Sequence, residues 1–328
     1  MTALLAAEDL SRRFAARGLF RRGRPVQAVA GVSLAIARGE AVGLVGESGS
    51  GKSTIGRLVL GLLAPDAGRV LLEGTDLASL REAARRRVRR RLQLVFQDPY
   101  SSLDPRRRVG RQIADGLAIH RLAPPAQRRE RVAALLAQVG LAPEHAERFP
   151  HQFSGGQRQR IGIARALATG PEFLVADEPV SALDVSVQAQ VLALLADLRT
   201  RLGLALLFIS HDLPVVRSLC DRVVVLYLGR IMEEGPASEV LRHPRHPYTR
   251  ALLAAAPGDP LRPRARILLR GDPPSPADPP SGCVFRTRCP YVLAECAQVV
   301  PALRSGGPGH RFACIRDDVE TTLPAPTA

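Results

Sequence analysis

The run Gly46-Glu47-Ser48-Gly49-Ser50-Gly51-Lys52-Ser53, continued by Thr54, has residue types and a spacing suited to holding a polyphosphate. Glycines let the backbone curl so that successive N–H groups face phosphate oxygens, and a helix starting near Lys52 adds the positive end of its dipole. In such a G-x-x-x-x-G-K-[ST] loop the lysine reaches the β and γ phosphates and the Ser53 hydroxyl ligates Mg²⁺. Composition singles out the same residue: of 46 basic side chains in 328 residues, Lys52 is the one lysine and the other 45 are arginine. A compact ammonium and a planar guanidinium are not interchangeable against phosphate, so a lysine kept only here points to the same chemistry.

A second constellation closes the apolar run Phe173-Leu174-Val175-Ala176 with Asp177 and Glu178. A buried strand ending in two acids places both carboxylates at the carboxyl edge of a sheet, where α/β folds bind ligands. Asp177 is expected to hold the metal through water, and Glu178 to polarise a water for in-line attack on the γ phosphate. A third segment, Phe153-Ser154-Gly155-Gly156-Gln157, precedes a helical run from Arg158 to Ala168 that stops at Gly170-Pro171. Ser154 is a natural N-cap, and Gly155 and Gly156 leave backbone N–H groups open to an anion.

A chain with one phosphate loop and a second anion site resembles the ABC-type ATPases, with Phe153 where the family's signature most often has Leu. The resemblance implies that Ser154, Gly155, Gly156 and Gln157 of one subunit cover the γ phosphate bound by the other, in a head-to-tail dimer. It implies that Gln97, in Val95-Phe96-Gln97-Asp98-Pro99, is the Q-loop residue that senses Mg²⁺ and the attacking water. It makes Ser181-Ala182-Leu183-Asp184 the D-loop crossing the dimer interface, and His211 the switch histidine on the γ phosphate. The expected catalytic set is thus Glu178, His211 and Gln97, and the expected Mg²⁺ set is Ser53, Gln97 and Asp177. The family stacks an aromatic ring on adenine after its first strand. Phe14 is the candidate, with Phe20 the alternative because of the Arg-rich insertion from Arg17 to Arg24; such stacking is worth about 0.5–1.5 kcal/mol.

The elements that must position these groups follow from hydrophobic patterning. Strand-like and helical stretches alternate from about residue 3 to 242, which predicts an α/β fold with a largely parallel sheet. Strands are expected at Ala41–Val45, Phe173–Ala176 and Leu204–Ile209, and a helix from about Lys52 to Leu62. Val187, Val191, Leu194, Leu198 and Leu202 recur at helical spacing, so a helix there packs one face onto the sheet. Residues 104–168 read as mainly helical, a subdomain inserted into the core. The expectation is an ABC-type P-loop ATPase core at 1–242, with that helical insertion, and a small Pro/Cys-rich C-terminal extension at 243–328.

The tail reads as a unit of its own. Fifteen of the 27 prolines lie in the last 88 residues, which forbids long helices and central strands there. His246-Pro247-Tyr248-Thr249, Cys283-Val284-Phe285, Arg288-Cys289-Pro290, Cys296 and Cys314 resemble the C-terminal region of ATPases from oligopeptide and dipeptide importers. The segments Asp98-Pro99-Tyr100-Ser101-Ser102-Leu103-Asp104-Pro105-Arg106 and Val180-Ser181-Ala182-Leu183-Asp184-Val185 resemble the second of the two ATPase types such importers carry. The implied partners are a second, related ATPase subunit in a heterodimer and two membrane permease subunits, with an extracytoplasmic binding protein acting indirectly. The Q-loop region and the inserted helices would form the groove that receives the permeases' coupling helices.

Cys283, Cys289, Cys296 and Cys314 are spaced C-x5-C-x6-C-x17-C. Zinc sites usually show a closer pair, and cytosolic disulfides are rare. Four thiolates suit a [4Fe-4S] cluster, as the importer resemblance also implies; Zn²⁺ and free buried thiols remain open as alternatives. Cys220 reads as a core residue at a helix end.

The net charge of +15 raises an acidic polymer as partner, yet no aromatic residues interleave with Arg85–Arg91 to stack bases, and a solvated helix face accounts for the run. A soluble ABC ATPase acting on nucleic acid is therefore the alternative from another class, and nickel or another small solute the alternative cargo. No apolar run approaches the roughly 20 residues of a spanning helix, and no leader is evident before Glu8 and Asp9. The expected location is peripheral, on the cytoplasmic face of the cell membrane.

Overall fold

The structure is a computed structural model that describes residues 3–16, 23–98, 100, 102–255 and 271–318. In chain order its strands are β1 (Ala3–Ala16), β2 (Gly23–Ala37), β3 (Ala41–Val45), β4 (Ala67–Leu72), β5 (Thr75–Asp76), β6 (Leu92–Val95), β7 (Phe173–Asp177), β8 (Ala205–Ile209), β9 (Arg222–Tyr227), β10 (Arg230–Pro236), β11 (Arg304–Gly307) and β12 (His310–Phe312). The helices are α1 (Lys52–Val59), α2 (Glu82–Arg91), α3 (Val109–Ile119), α4 (Pro125–Gln138), α5 (Gly155–Leu167), α6 (Val185–Leu202), α7 (Leu213–Leu219), α8 (Ala237–Arg242) and α9 (Pro247–Ala255).

Strands β3, β7, β8 and β9 are apolar almost throughout because both of their faces are covered, as parallel strands require. Successive side chains on a strand point to opposite faces. Accordingly Val45, Ala176, Phe208 and Val225 join one hydrophobic core, with the helices after β6, while Leu44, Val175, Leu207 and Val224 join another, with α1, β1 and β2. The main sheet runs β11-β12-β10-β9-β3-β8-β7-β6, parallel from β9 to β6 and antiparallel beyond β9. A smaller antiparallel sheet, β2-β1-β4-β5, covers the second core.

The expected strands are found within a residue of their predicted ends, and α1 stops at Val59, shorter than predicted, with Leu62 exposed. Helix α6 buries Val191, Leu195 and Leu198, whereas Leu202 is exposed. Its apolar face is thus set by Leu195 beside the expected Leu194, and it ends one turn earlier. Between β6 and β7 the described residues are helical from Val109 on apart from short connections, in α3, α4 and α5 with two short 3-10 turns between the last two, while those before Val109 form turns and loop. Helix α2, the arginine run, buries none of its residues.

The tail differs from its reading as a separate unit. Strand β12 pairs with β10 through Glu233 opposite Phe312 and Glu234 opposite Arg311, so tail strands extend the core sheet. Tyr248, Val284 and Phe285 are buried in the same core as β7 and β9. A proline-rich segment cannot supply a central strand, but β11 at the sheet's edge and β12 next to it contain no proline.

Candidate active site

The phosphate loop is the turn from β3 into α1. Gly51 caps α1 with φ 103°, in the left-handed region that side chains rarely enter, and a Cβ there would lie 2.2 Å from Ala28 O. A Cβ on Gly46 would lie 2.1 Å from Leu226 O, so the loop is pressed against β9 and no larger residue fits. Lys52 is buried, and its Nζ donates to Gly46 O and Glu47 O, both at 2.8 Å. Burial pushes the ammonium below its ordinary pKa, against the opposing pull of Glu178, Asp177 and Glu47. Ser50 Oγ is buried and has no hydrogen-bond partner among the described residues, a polar atom left for a ligand.

Asp177, the last residue of β7, accepts a hydrogen bond from Ser53 Oγ at 2.9 Å. Burial raises its pKa; the Ser53 hydrogen bond opposes that and the Glu178 charge adds to it. A hydroxyl and a carboxylate side by side are the hard oxygen donors that suit Mg²⁺. Glu178 follows with φ 44°, a strained conformation for a residue with a side chain, and its N–H donates to Ile209 O at 2.9 Å. This turn aims the carboxylate at two other expected residues. Gln97 Nε2 donates to Glu178 Oε2 at 2.9 Å, and His211 Nδ1 lies 3.4 Å from Glu178 Oε1. Lys52, Ser53, Gln97, Asp177, Glu178 and His211, drawn from the ends of β3, β6, β7 and β8, are therefore brought together.

Ser154 and Gln157 form a reciprocal cap at the start of α5: Ser154 Oγ accepts from Gln157 N–H, and Gln157 Oε1 accepts from Ser154 N–H. Among the described residues the hydrogen bonds of Ser154 stay within this helix turn, so the structure does not join it to the phosphate loop. Its neighbour is instead the Asp184 segment. A Cβ on Gly156 would meet Val187 Cγ1 at 2.2 Å, and one on Gly155 would meet Leu183. Asp184 caps α6, accepting from Val187 N–H at 3.0 Å and Ser186 Oγ at 2.7 Å, and those bonds lower its pKa. Helix α5 also holds the segment after Gln97: Arg158 Cζ sits 3.9 Å from the Tyr100 ring centroid, and Arg165 donates to Ser102 O. Phe96 and Tyr100 remain exposed there.

Phe14 lies on β1, 39% exposed, with the Arg12 guanidinium 5.3 Å from its ring centroid. Phe20 lies outside the described residues. Sequence reasoning did not anticipate what surrounds Glu47. Its carboxylate is held by Arg288 and its N–H donates to Tyr248 Oη at 2.8 Å, contacts that reach across more than 200 residues and leave no local signal.

Cys283, Cys289, Cys296 and Cys314 lie close together: Cys296 acts on the titration of Cys283, Cys289 and Cys314, and Cys314 on that of Cys283 and Cys289. Burial raises the Cys283 and Cys314 thiols and pushes Cys289 up to about 12, while backbone N–H groups of Phe285, Tyr291 and Arg316 oppose it at Cys283, Cys289 and Cys314. Among the described residues no three His, Cys, Asp or Glu side chains are grouped as a single metal ion needs. Cys220 is buried at the end of α7, and burial pushes its thiol up to about 12. No helix among the described residues is long and apolar enough to cross a membrane.

The family profile described as ABC transporter matches residues 29–181, and the profile for the oligopeptide/dipeptide transporter C-terminal region matches residues 232–296. A Brucella ovis protein, provisionally named a peptide import ATP-binding protein, is 56% identical over 97% of this chain and 99% of its own length. The oligopeptide transport ATP-binding protein AppF of Bacillus subtilis is 49% identical over 95% of this chain and 96% of its own. Among solved structures, a dimeric ATP-binding cassette in a post-hydrolysis state, bound to ADP and Pi, superposes with a TM-score of 0.63 at 29% identity, covering 71% of this chain and 98% of that one.

Proposed function

Since this chain belongs to the ABC transporter family of ATPases, and to its oligopeptide/dipeptide branch, we propose that it is the ATP-hydrolysing subunit that powers peptide import through a membrane transporter. The observation that carries the site assignment is the hydrogen-bonded set around Glu178: Gln97 on one carboxylate oxygen, His211 beside the other, and Lys52 and Asp177 within electrostatic reach.

Lys52 and the N–H groups of the loop from Gly46 to Thr54 bind the β and γ phosphates. Ser53 and Asp177, with Gln97, hold Mg²⁺, which offsets the phosphate charge. Glu178 accepts a proton from water as its oxygen bonds to the γ phosphorus; the bond from that phosphorus to the bridging oxygen breaks, and ADP leaves with the electron pair. Gln97 and His211 orient the carboxylate, the water and the γ phosphate. Phe14 stacks on adenine. Ser154, Gly155, Gly156 and Gln157 close over a nucleotide bound by the partner ATPase, and Asp184 lies at the same interface.

Residues 1–242 serve as the nucleotide-binding domain, with 104–168 as its helical insertion, and 243–328 as the importer-type C-terminal region. The chain acts at the cytoplasmic face of the membrane, with a related second ATPase and two permeases whose coupling helices meet the exposed Phe96 and Tyr100. Closure of the two-nucleotide dimer drives the permeases between their two states, and hydrolysis resets them. The mutual approach of Cys283, Cys289, Cys296 and Cys314, with backbone N–H groups turned to the sulfurs, supports a [4Fe-4S] cluster. Such a group supplies cross-links to a tail poor in aliphatic residues.

The test is uptake of radiolabelled di- and oligopeptides into proteoliposomes holding this chain with its permeases, second ATPase and binding protein. ATP-dependent accumulation that is lost with Lys52→Arg supports the reading. Hydrolysis without peptide accumulation, or accumulation of another solute instead, refutes peptide import.

A further inference from the structure

Residue 47 of the phosphate loop is held at three points. Its carbonyl accepts from Lys52 Nζ at 2.8 Å, its N–H donates to Tyr248 Oη at 2.8 Å, and its carboxylate takes both ends of the Arg288 guanidinium, at 2.7 and 3.1 Å. The last two partners come from the C-terminal region, 201 and 241 residues away in sequence. The pair is shielded: the Arg288 side chain is 7% exposed and that of Glu47 24%. A two-pronged, charge-assisted contact of this kind fixes direction as well as distance.

The supports of this contact are rigid. Tyr227, Tyr248 and Phe285 are buried as a mutual aromatic cluster, with ring centroids 4.7 to 5.3 Å apart, and Arg288 Nη1 approaches Tyr227 Oη at 3.5 Å. The Arg288 N–H donates to Phe285 O at 3.0 Å, and the Cys283 N–H donates to Cys296 O at 2.8 Å, so the turn carrying Arg288 is built into the cysteine-bearing segment.

We infer that Arg288 and Tyr248 are positioning residues of the phosphate loop, and that the C-terminal region thereby sets nucleotide affinity. The chain of contacts runs from the Cys283–Cys296 turn through Arg288 to Glu47, and from the Glu47 carbonyl to the lysine ammonium. Because binding free energies are reciprocal, whatever the tail does for the nucleotide, the nucleotide does for the tail. This inference rests on the reading of the loop as the ATP site.

Two measurements on the full-length chain test it. By isothermal titration with Mg-ATP, Arg288→Met is expected to weaken binding about 10-fold, Arg288→Lys less, and the swapped pair Glu47→Arg with Arg288→Glu to regain part of the loss. By hydrogen exchange, saturating Mg-ATP is expected to slow the Cys283 and Arg288 amides at least about 3-fold in the unmutated chain and to lose that slowing in Arg288→Met, whereas stabilisation of the whole fold by a bound ligand acts in both. Wild-type affinity in Arg288→Met, or tail amides indifferent to ATP in a chain that binds it, overturns the inference alone. A chain that binds no ATP overturns the functional reading together with it.

Discussion

Gln97 Nε2 and Glu178 Oε2 are 2.9 Å apart, a hydrogen bond that ties the segment after β6 to the end of β7. The two strands are neighbours in the sheet, so a shift of the Gln97 segment is transmitted directly to the carboxylate expected to take the proton. That segment is also packed against α5 through Tyr100 and Ser102. The geometry therefore offers a physical link between the exposed aromatic surface at Phe96 and Tyr100 and the Glu178 carboxylate.

Gln97→Ala removes the donor while leaving the phosphate loop intact. Turnover should fall about 10- to 100-fold with the KM for ATP changed less than about 3-fold, because the lost interaction orients the reacting groups. Steady-state kinetics on the assembled transporter measure both. A raised KM with unchanged kcat would leave Gln97 only its part in holding Mg²⁺ and remove it from the catalytic set.

Gly156→Ala tests how α5 is seated on α6. Its Cβ would approach Val187 Cγ1 to 2.2 Å, so the helices must separate or Val187 must turn. Overpacking of this kind costs about 1–3 kcal/mol, and Val187→Ala in the same chain should restore most of it. Thermal unfolding of the single and double variants reads the effect; an unchanged Tm in Gly156→Ala would contradict this packing.

His246 gives the stability a pH dependence. Its Nδ1 accepts from Tyr248 N–H at 3.0 Å, and burial depresses its pKa to about 3, with a hydrogen bond to the Ala313 backbone opposing. Between the ordinary value of 6.5 and about 3 the unfolded chain binds the proton and the folded chain does not. Stability contributed by the neutral ring is thus full above pH 6.5 and lost as pH falls, by about 1.4 kcal/mol per unit. Urea unfolding at pH 7 and pH 5 should show about 2 kcal/mol more loss in the wild type than in His246→Asn. Equal losses would show that this ring is not the source.

Much of the fold and of the site could be read from sequence because the signals are local. The phosphate loop needs glycines at fixed offsets, the cap at Ser154 acts within three residues, and β3, β7 and β8 are short apolar runs between turns. The neighbourhood of Glu47 was not legible. Arg288 is one arginine among 45, and nothing near it in the chain announces a partner 241 residues away. The same holds for the tail strands: prolines argue for irregular structure, whereas the pairing of β12 with β10 depends on which sheet edge is free. Leu195 was missed on α6 because a run of apolar residues offers two registers, and packing against the core chooses between them.

Turnover of the Glu178→Gln variant reads the proposed role of Glu178, acceptance of the proton from water, without an intervening step. Glutamine keeps the shape and the Gln97 and His211 neighbours but cannot take a proton at neutral pH. In the assembled transporter at saturating Mg-ATP, hydrolysis should fall at least about 100-fold while ATP is bound within about 3-fold of wild-type affinity and holds the ATPase dimer closed. Hydrolysis at the wild-type rate would contradict the account.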